Sequence, residues 1–277
     1  MKIKKLKKAV VPALVLLAVV LFGVILFVEK PDLIPTLGRE QVIAEGGSGG
    51  AFLPGDTDKK LMAFANQKGL TLEDWPLELR ILYDDVPESE DFVLNYPFQK
   101  DTAQTADLSE YKNCTQIPHL LQWDARWGYT AYSGNIMAVT GSGPACLSMV
   151  SIYLLQDTRY TPRYLADLSQ EKGYYKEGVG STWSLITDCG PDLGLDVQEI
   201  PLVWSVVQAH LENGNPIICA VGPGDFADNS HFIVLTGIEG DFVRVLDPRS
   251  ITQSEKLWDF EIIGHQLQNL WVCQLPQ

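Results

Sequence analysis

Thr140-Gly141-Ser142-Gly143-Pro144-Ala145-Cys146-Leu147-Ser148-Met149-Val150 is the stretch on which the reading of this chain turns. A Gly-x-Gly-Pro turn runs straight into the apolar stretch 145–155, so a tight loop feeds a helix. Proline is tolerated in a first turn, where its missing N–H forfeits no bond. Residue 142 therefore stands at or just before a helix N-terminus. Free N–H groups and the macrodipole there favour negative charge, lower a thiol pKa and help to hold an oxyanion. The position suits a thiolate, yet it holds a serine. A hydroxyl pKa is too high for a helix end to ionise it, so Ser142 needs a well-aligned base. Three readings of Ser142 stay open on the residues alone: a weak nucleophile, a remnant without chemistry, or a deliberate replacement.

Partners for a nucleophile lie downstream. Ser230-His231-Phe232-Ile233-Val234-Leu235-Thr236-Gly237-Ile238 is a strand pattern with a polar histidine at its start. Phe242-Val243-Arg244-Val245-Leu246-Asp247-Pro248 is a second strand ending in Asp-Pro, and Glu239-Gly240-Asp241 reads as the hairpin turn between them. Such a hairpin can set His231 beside Asp247, so that the carboxylate orients the imidazole as a base. Upstream, Gln122 offers a side-chain amide to an oxyanion. Taken singly these signals are weak, because a histidine opening an apolar strand is more often structural, Asp-Pro usually marks a turn, and glutamine beside tryptophan usually packs.

Their order is more telling. Gln-x-Asp-x-x-Trp-Gly (Gln122 to Gly128), Tyr132, Gly-x-Gly-Pro-x-Cys-x-x-Met-Val, Gly-Asn-Pro-Ile-Ile (Gly214 to Ile218), His-Phe-Ile-Val-Leu-Thr-Gly and a final Asp-Pro follow one another. The series resembles the bacterial papain-fold family related to double-glycine leader peptidases, over residues 114 to 273. That resemblance implies an α+β, papain-like fold, a helical half followed by an antiparallel sheet, and a thiol peptidase scaffold acting on peptide or protein substrates. The family's catalytic cysteine maps to Ser142, its histidine to His231, its orienting acid to Asp247 and its oxyanion glutamine to Gln122. Gly143 and Trp183, the latter in a loop like the one that opens a helix near the family's cleft, are the expected substrate-binding residues; a tryptophan at a helix start is as often core packing. The departure at Ser142 touches activity and leaves the fold expectation intact.

Cys146 lies about one helical turn, ~6 Å, beyond residue 142. Its apolar neighbours Leu147, Met149, Val150 and Ile152 make it a buried, inert thiol with no catalytic role. Cys114, Cys146, Cys189, Cys219 and Cys273 make an odd count of 5, and most are expected to be reduced and buried. With His119, His210, His231 and His265 dispersed, no metal site is expected, and no cofactor.

The N-terminus carries 5 lysines among its first 8 residues, then an uncharged apolar run from Ala9 to Val28. Its 20 residues suffice to span ~30 Å of hydrocarbon. No Ala-x-Ala pattern precedes Glu29-Lys30-Pro31, so an uncleaved transmembrane signal-anchor is expected, N-terminus inside and the rest extracellular. Six of the chain's 21 basic and one of its 35 acidic residues fall within positions 1–30, leaving 15 basic against 34 acidic, about −19, for residues 31–277. That balance argues against nucleic acid and against contact with an anionic bilayer surface.

The expected organisation is a basic tail (1–8), the membrane span (9–28), a flexible Gly- and Pro-rich stalk (29–60), a helical extension (61–113) and the papain-like domain (114–277). Within the extension two short helices are expected between Lys59 and Tyr83, with Thr71 as a cap, and another over Asp84 to Tyr96 that caps the domain. Within the domain the patterns predict helices over 143–155, 161–172, 182–193 and 204–213, and strands over 216–221, 231–238, 241–247 and near 270–274. With one apolar span and no phosphate loop, fusion to a transporter is not expected. A non-catalytic module that uses the same cleft to bind a peptide or a cell-wall stem is the other function class.

Overall fold

The computed structural model describes residues 55–102 and 105–276. The basic tail, the apolar span 9–28 and the stalk as far as residue 54 lie outside the described residues. Among the described residues no helix is long and apolar enough to cross a membrane.

The extension is helical. Helix α1 (Asp56–Lys68) begins inside the segment expected as stalk and ends at Gly69, whose φ of 70° is the left-handed cap that glycine adopts without strain. Helices α2 (Leu77–Asp85) and α3 (Glu90–Gln99) follow. Their buried residues recur at helical spacing, Leu61 with Ala65, Leu79 with Leu82 and Tyr83, and close around Trp75, whose indole N–H donates to the Val93 carbonyl at 2.7 Å. Trp123, Tyr129 and Ala138 belong to the same cluster. Phe92 stacks on Tyr129 with ring centroids 4.1 Å apart, and the Tyr129 hydroxyl donates to the Phe92 carbonyl at 2.8 Å. The extension is thus packed onto the rest of the domain through a core of its own, each large apolar side chain contributing roughly 1.5–3 kcal/mol.

A short hairpin comes next, β1 (Ala131–Tyr132) and β2 (Asn135–Ile136), turning through Ser133 and Gly134, both at positive φ. Helix α4 (Met137–Thr140) leads through Gly141 into α5 (Ser142–Leu155). Helix α6 (Pro162–Lys172) is capped by the Thr161 hydroxyl, which accepts from the Tyr164 N–H at 3.1 Å. Strands β3 (Tyr175–Lys176) and β4 (Gly180–Ser181) pair with each other. The helix expected over 182–193 is instead two single turns, α7 (Ser184–Thr187) and α8 (Cys189–Asp192). Pro191 has no N–H to continue the ladder to Thr187, and Gly190 adds backbone freedom beside it.

The second half is a six-stranded sheet. It comprises β5 (Asp196–Glu199), β6 (Ile217–Val221), β7 (His231–Glu239), β8 (Phe242–Leu246), β9 (Leu257–Asp259) and β10 (Leu267–Gln274), interrupted by α9 (Trp204–Glu212), α10 (Ile251–Ser254) and α11 (Phe260–Gly264). Strand order is β5-β10-β6-β7-β8-β9, antiparallel throughout. Strands β7 and β8 meet in a tight turn through Gly240 and Asp241, with Gly240 at φ 63°.

Burial alternates with period two across the sheet. Ile218, Ala220, Phe232 and Val234 share a core with Cys146, Leu147 and Val150 of α5. Ile217, Cys219, Val221, Ile233 and Leu235 share the other core with Val207 and Leu211 of α9. Helices cover both faces, which explains why β6 and β7 read as unbroken apolar runs rather than alternating ones. Strand β5 is a half-exposed edge and β9 has only three residues; neither presents enough apolar pattern to be read from sequence. The arrangement is α+β and papain-like.

Candidate active site

Ser142 is the first residue of α5, with Gly141 as its cap. The backbone there is held by close packing. A Cβ on Gly141 would meet the Met137 carbonyl oxygen at 2.4 Å, and one on Gly143 would meet Ser181 Oγ at 2.4 Å and Leu185 Cδ2 at 3.1 Å. Ser181 Oγ is itself hydrogen-bonded to the Tyr132 hydroxyl at 2.6 Å, and that hydroxyl also meets Ser169 Oγ at 2.9 Å. Helix α5 is buried on every side from Ser142 to Ile152, so residue 142 is placed by a rigid element.

His231 opens β7, and Asp247 follows the last residue of β8. His231 Nε2 lies 2.7 Å from Asp247 Oδ1, with the two side chains 5 % and 0 % exposed. A carboxylate can only accept, so Nε2 carries a proton, and the ring's neutral form leaves its lone pair on Nδ1. The Arg249 N–H donates to the same carboxylate oxygen at 2.8 Å. Asp247 Oδ2 has no partner among the described residues.

Gln122 joins the two halves. Its backbone N–H donates to the Pro248 carbonyl at 2.7 Å, and its side-chain Nε2 donates to the Ala138 carbonyl at 2.7 Å, with the Val139 carbonyl at 3.4 Å. The amide orientation follows from chemistry, since the opposite one would set Oε1 against a carbonyl oxygen. The short bond to Ala138 is the firm one, and the contact with Val139 is at the limit of a hydrogen bond. Gln122 thus lies between the Asp-Pro turn and the α4 carbonyls that lead to Ser142.

Ser142 Oγ forms no hydrogen bond with His231 or with any other described residue. The residue is 8 % exposed. Trp183 is 46 % exposed and meets Trp271 edge-on, centroids 5.4 Å apart. Gly143 is buried beneath Ser181.

Cys146 is fully buried. Burial pushes its thiol well above the ordinary range, and the nearby Asp247 carboxylate and Cys219 push the same way. Cys114, Cys146, Cys189, Cys219 and Cys273 are all free thiols, the last three also raised by burial. Among the described residues no group of three or more His, Cys, Asp or Glu side chains is arranged to hold a metal ion.

Two residues escaped the sequence reading. His119 Nε2 lies 2.7 Å from the Asp247 carbonyl oxygen and 3.1 Å from Ser254 Oγ. Ser254 Oγ in turn accepts from the Asp247 N–H at 2.8 Å. Nothing near His119 in sequence marks it, because its partners lie more than a hundred residues away. Desolvation lowers the His119 pKa against the opposing pull of Asp247, so the ring is neutral.

A helix-borne position 142 and a strand-borne histidine bonded through Nε2 to an acid sit on a papain-like, peptidase-like frame. The chain belongs to the Peptidase_C39 like family, which it matches over residues 114–272. Among solved structures it is similar to the peptidase domain of Streptococcus ComA, a bifunctional ABC transporter involved in a quorum-sensing pathway, at 20 % identity and a TM-score of 0.40, covering 49 % of this chain and 92 % of that one. It is also similar to a C39-like peptidase from Bacillus anthracis at 15 % identity and a TM-score of 0.37, covering 58 % of this chain and 96 % of that one. No curated protein sequence matches it.

Proposed function

We propose that this protein is a membrane-anchored, extracellular C39-like peptidase scaffold whose cleft takes peptide or amide substrates and whose Ser142 leaves it with weak turnover or none. One observation carries the reading: His231 is bonded to Asp247 through Nε2, while the Ser142 hydroxyl is bonded to no base. A thiol at position 142 would need little more than the helix end and the imidazole to become a thiolate. A hydroxyl must pass its proton to an aligned base as it attacks. In the reaction this scaffold serves, residue 142 attacks the carbonyl carbon and His231 Nδ1 takes its proton, then gives it to the leaving amine. Asp247 holds the imidazolium, while Gln122 Nε2 and a first-turn N–H of α5 bind the oxyanion; water then hydrolyses the acyl intermediate. The lysine-flanked apolar run 9–28 and the acidic remainder of the chain support the location.

The test compares the full-length protein with Ser142→Cys, both in detergent, by iodoacetamide labelling at residue 142 and by cleavage of a peptide library. The cysteine form is expected to be alkylated rapidly and to cleave faster by about 10²- to 10⁴-fold. Equal cleavage by the serine form makes it a working serine hydrolase and overturns weak turnover. No cleavage and no enhanced alkylation in either form leaves a binding module.

A further inference from the structure

We propose that the helical extension is a positioning device for the catalytic acid, with Asp85 and Glu88 gripping the turn after Asp247 and through it setting the His231–Asp247 pair. The proposal rests on the reading above for the role of Asp247, and it assigns work to residues outside the span 114–272 that matches the family.

The contacts form one chain. Asp85 ends α2, and its Oδ2 accepts from Arg249 Nη2 at 2.8 Å, the side chains 22 % and 19 % exposed. Glu88 lies in the single turn Pro87–Ser89 between α2 and α3, and its Oε1 accepts from Ser250 Oγ at 2.8 Å and from the Thr252 N–H at 3.3 Å. The gripped residues are those that hold the acid. The Arg249 N–H donates to Asp247 Oδ1, the oxygen that also receives His231 Nε2. Ser250 Oγ caps α10 by accepting from the Gln253 N–H at 3.2 Å, and α10 carries Ser254, which receives the Asp247 N–H. A shift of Arg249 or Ser250 therefore moves the carboxylate. From the other side, among the described residues, the turn meets neutral donors: the Trp123 indole N–H on the Arg249 carbonyl and the Gln122 N–H on the Pro248 carbonyl, both at 2.7 Å, and His119 on the Asp247 carbonyl; the two charged grips come from the extension.

Glu88 has the character of a group committed to this contact. Burial works to raise its carboxyl, but its own N–H, the Ser250 hydroxyl and the Thr252 N–H outweigh burial and leave it below the usual range. The grip is also separable from the folding of the extension, because Leu61, Trp75, Leu79, Phe92 and Val93 pack without either carboxylate.

The experiment uses full-length Asp85→Ala/Glu88→Ala in two backgrounds. With Ser142 retained, NMR follows the titration of the His231 ring; with Ser142→Cys, it is joined by the pH profile of alkylation at residue 142 and by kcat and KM on a cleaved peptide. The double variant is expected to keep a folded extension, to change the His231 ring signals as the carboxylate loosens, and to lose about 10- to 100-fold in kcat with KM within about twofold. Glu88→Gln, which keeps an acceptor oxygen, is expected to recover most of what Glu88→Ala loses. His119, the other titratable ring on the turn, is unaltered in every variant. A folded double variant with unchanged His231 ring signals and kcat overturns the proposal. Should the double variant not fold, Asp85→Asn and Glu88→Gln together weaken the same grips, and unchanged His231 ring signals there overturn it equally. Should Ser142→Cys neither react nor cleave, the functional reading fails while the His231 ring signals still decide this one.

Discussion

The sheet and the helix hold their halves of the site by different means. On the sheet side, Asp247 is tied through its N–H to Ser254, through its carbonyl to His119, and through Oδ1 to the Arg249 N–H and to His231. On the helix side, Ser142 is fixed by its backbone alone, wedged between glycines that admit no Cβ, and its hydroxyl is bonded to no described residue. A buried hydrogen-bonded group leaves orphaned partners when removed, whereas a side chain held only by its backbone can be exchanged for one of similar size at small cost. Residue 142 is thus the most replaceable member of the site, and His231 and Asp247 the least. A chain can carry serine at position 142 with the rest of the machinery undisturbed.

The sharpest way to break that contrast is to remove the acid. In the Ser142→Cys background, Asp247→Ala is expected to lower kcat by about 10³- to 10⁴-fold, because the imidazole loses both its tautomer and its orientation. Steady-state kinetics would measure it; a loss below tenfold would mean that His231 is positioned by something other than Asp247. Gln122→Ala comes next. It removes an oxyanion donor and a bond to the Ala138 carbonyl, and kcat in the same background is expected to fall about 10²- to 10³-fold. If KM rises instead with kcat unchanged, Gln122 serves to bind substrate uniformly rather than to stabilise the oxyanion.

The two sides also differ in how far they could be read from sequence. Helix α5 and the β7–β8 hairpin were legible because their signals are local: an apolar run after Gly-x-Gly-Pro, and strand patterns flanking a glycine turn. So was the placement of Ser142, His231 and Asp247 at the ends of those elements. The network behind Asp247 was not. His119 in Ile117-Pro118-His119-Leu120 has no periodic neighbour, and Glu88 reaches Ser250 across 162 residues; such pairs exist only once the chain has folded. Strands β5 and β9 are short edge strands that get their pairing from β10 and β8 rather than from their own residues. Pro191 lies inside the span 182–193 expected as one helix, and its missing N–H leaves two short turns there.

The smallest effect sharpens the contrast most selectively, because it separates the support of the acid from the acid itself. His119 is half-buried with its pKa lowered, chiefly by desolvation, so the unfolded chain binds a proton near the ordinary histidine value of about 6.5 that the folded chain refuses. Unfolding then takes up a proton as the pH falls below that value, and stability declines from there down through the folded-state pKa. His119→Gln keeps an N–H donor for the Asp247 carbonyl but cannot titrate. It is expected to cost about 1 kcal/mol or less at neutral pH and to lose less stability than the native chain between about pH 7.5 and about pH 5. Urea unfolding at the two pH values measures this, the other histidines being common to both proteins. Equal losses would show that the sheet-side network tolerates a charge at His119, and that its hold on Asp247 comes from the Arg249 and Ser254 contacts alone.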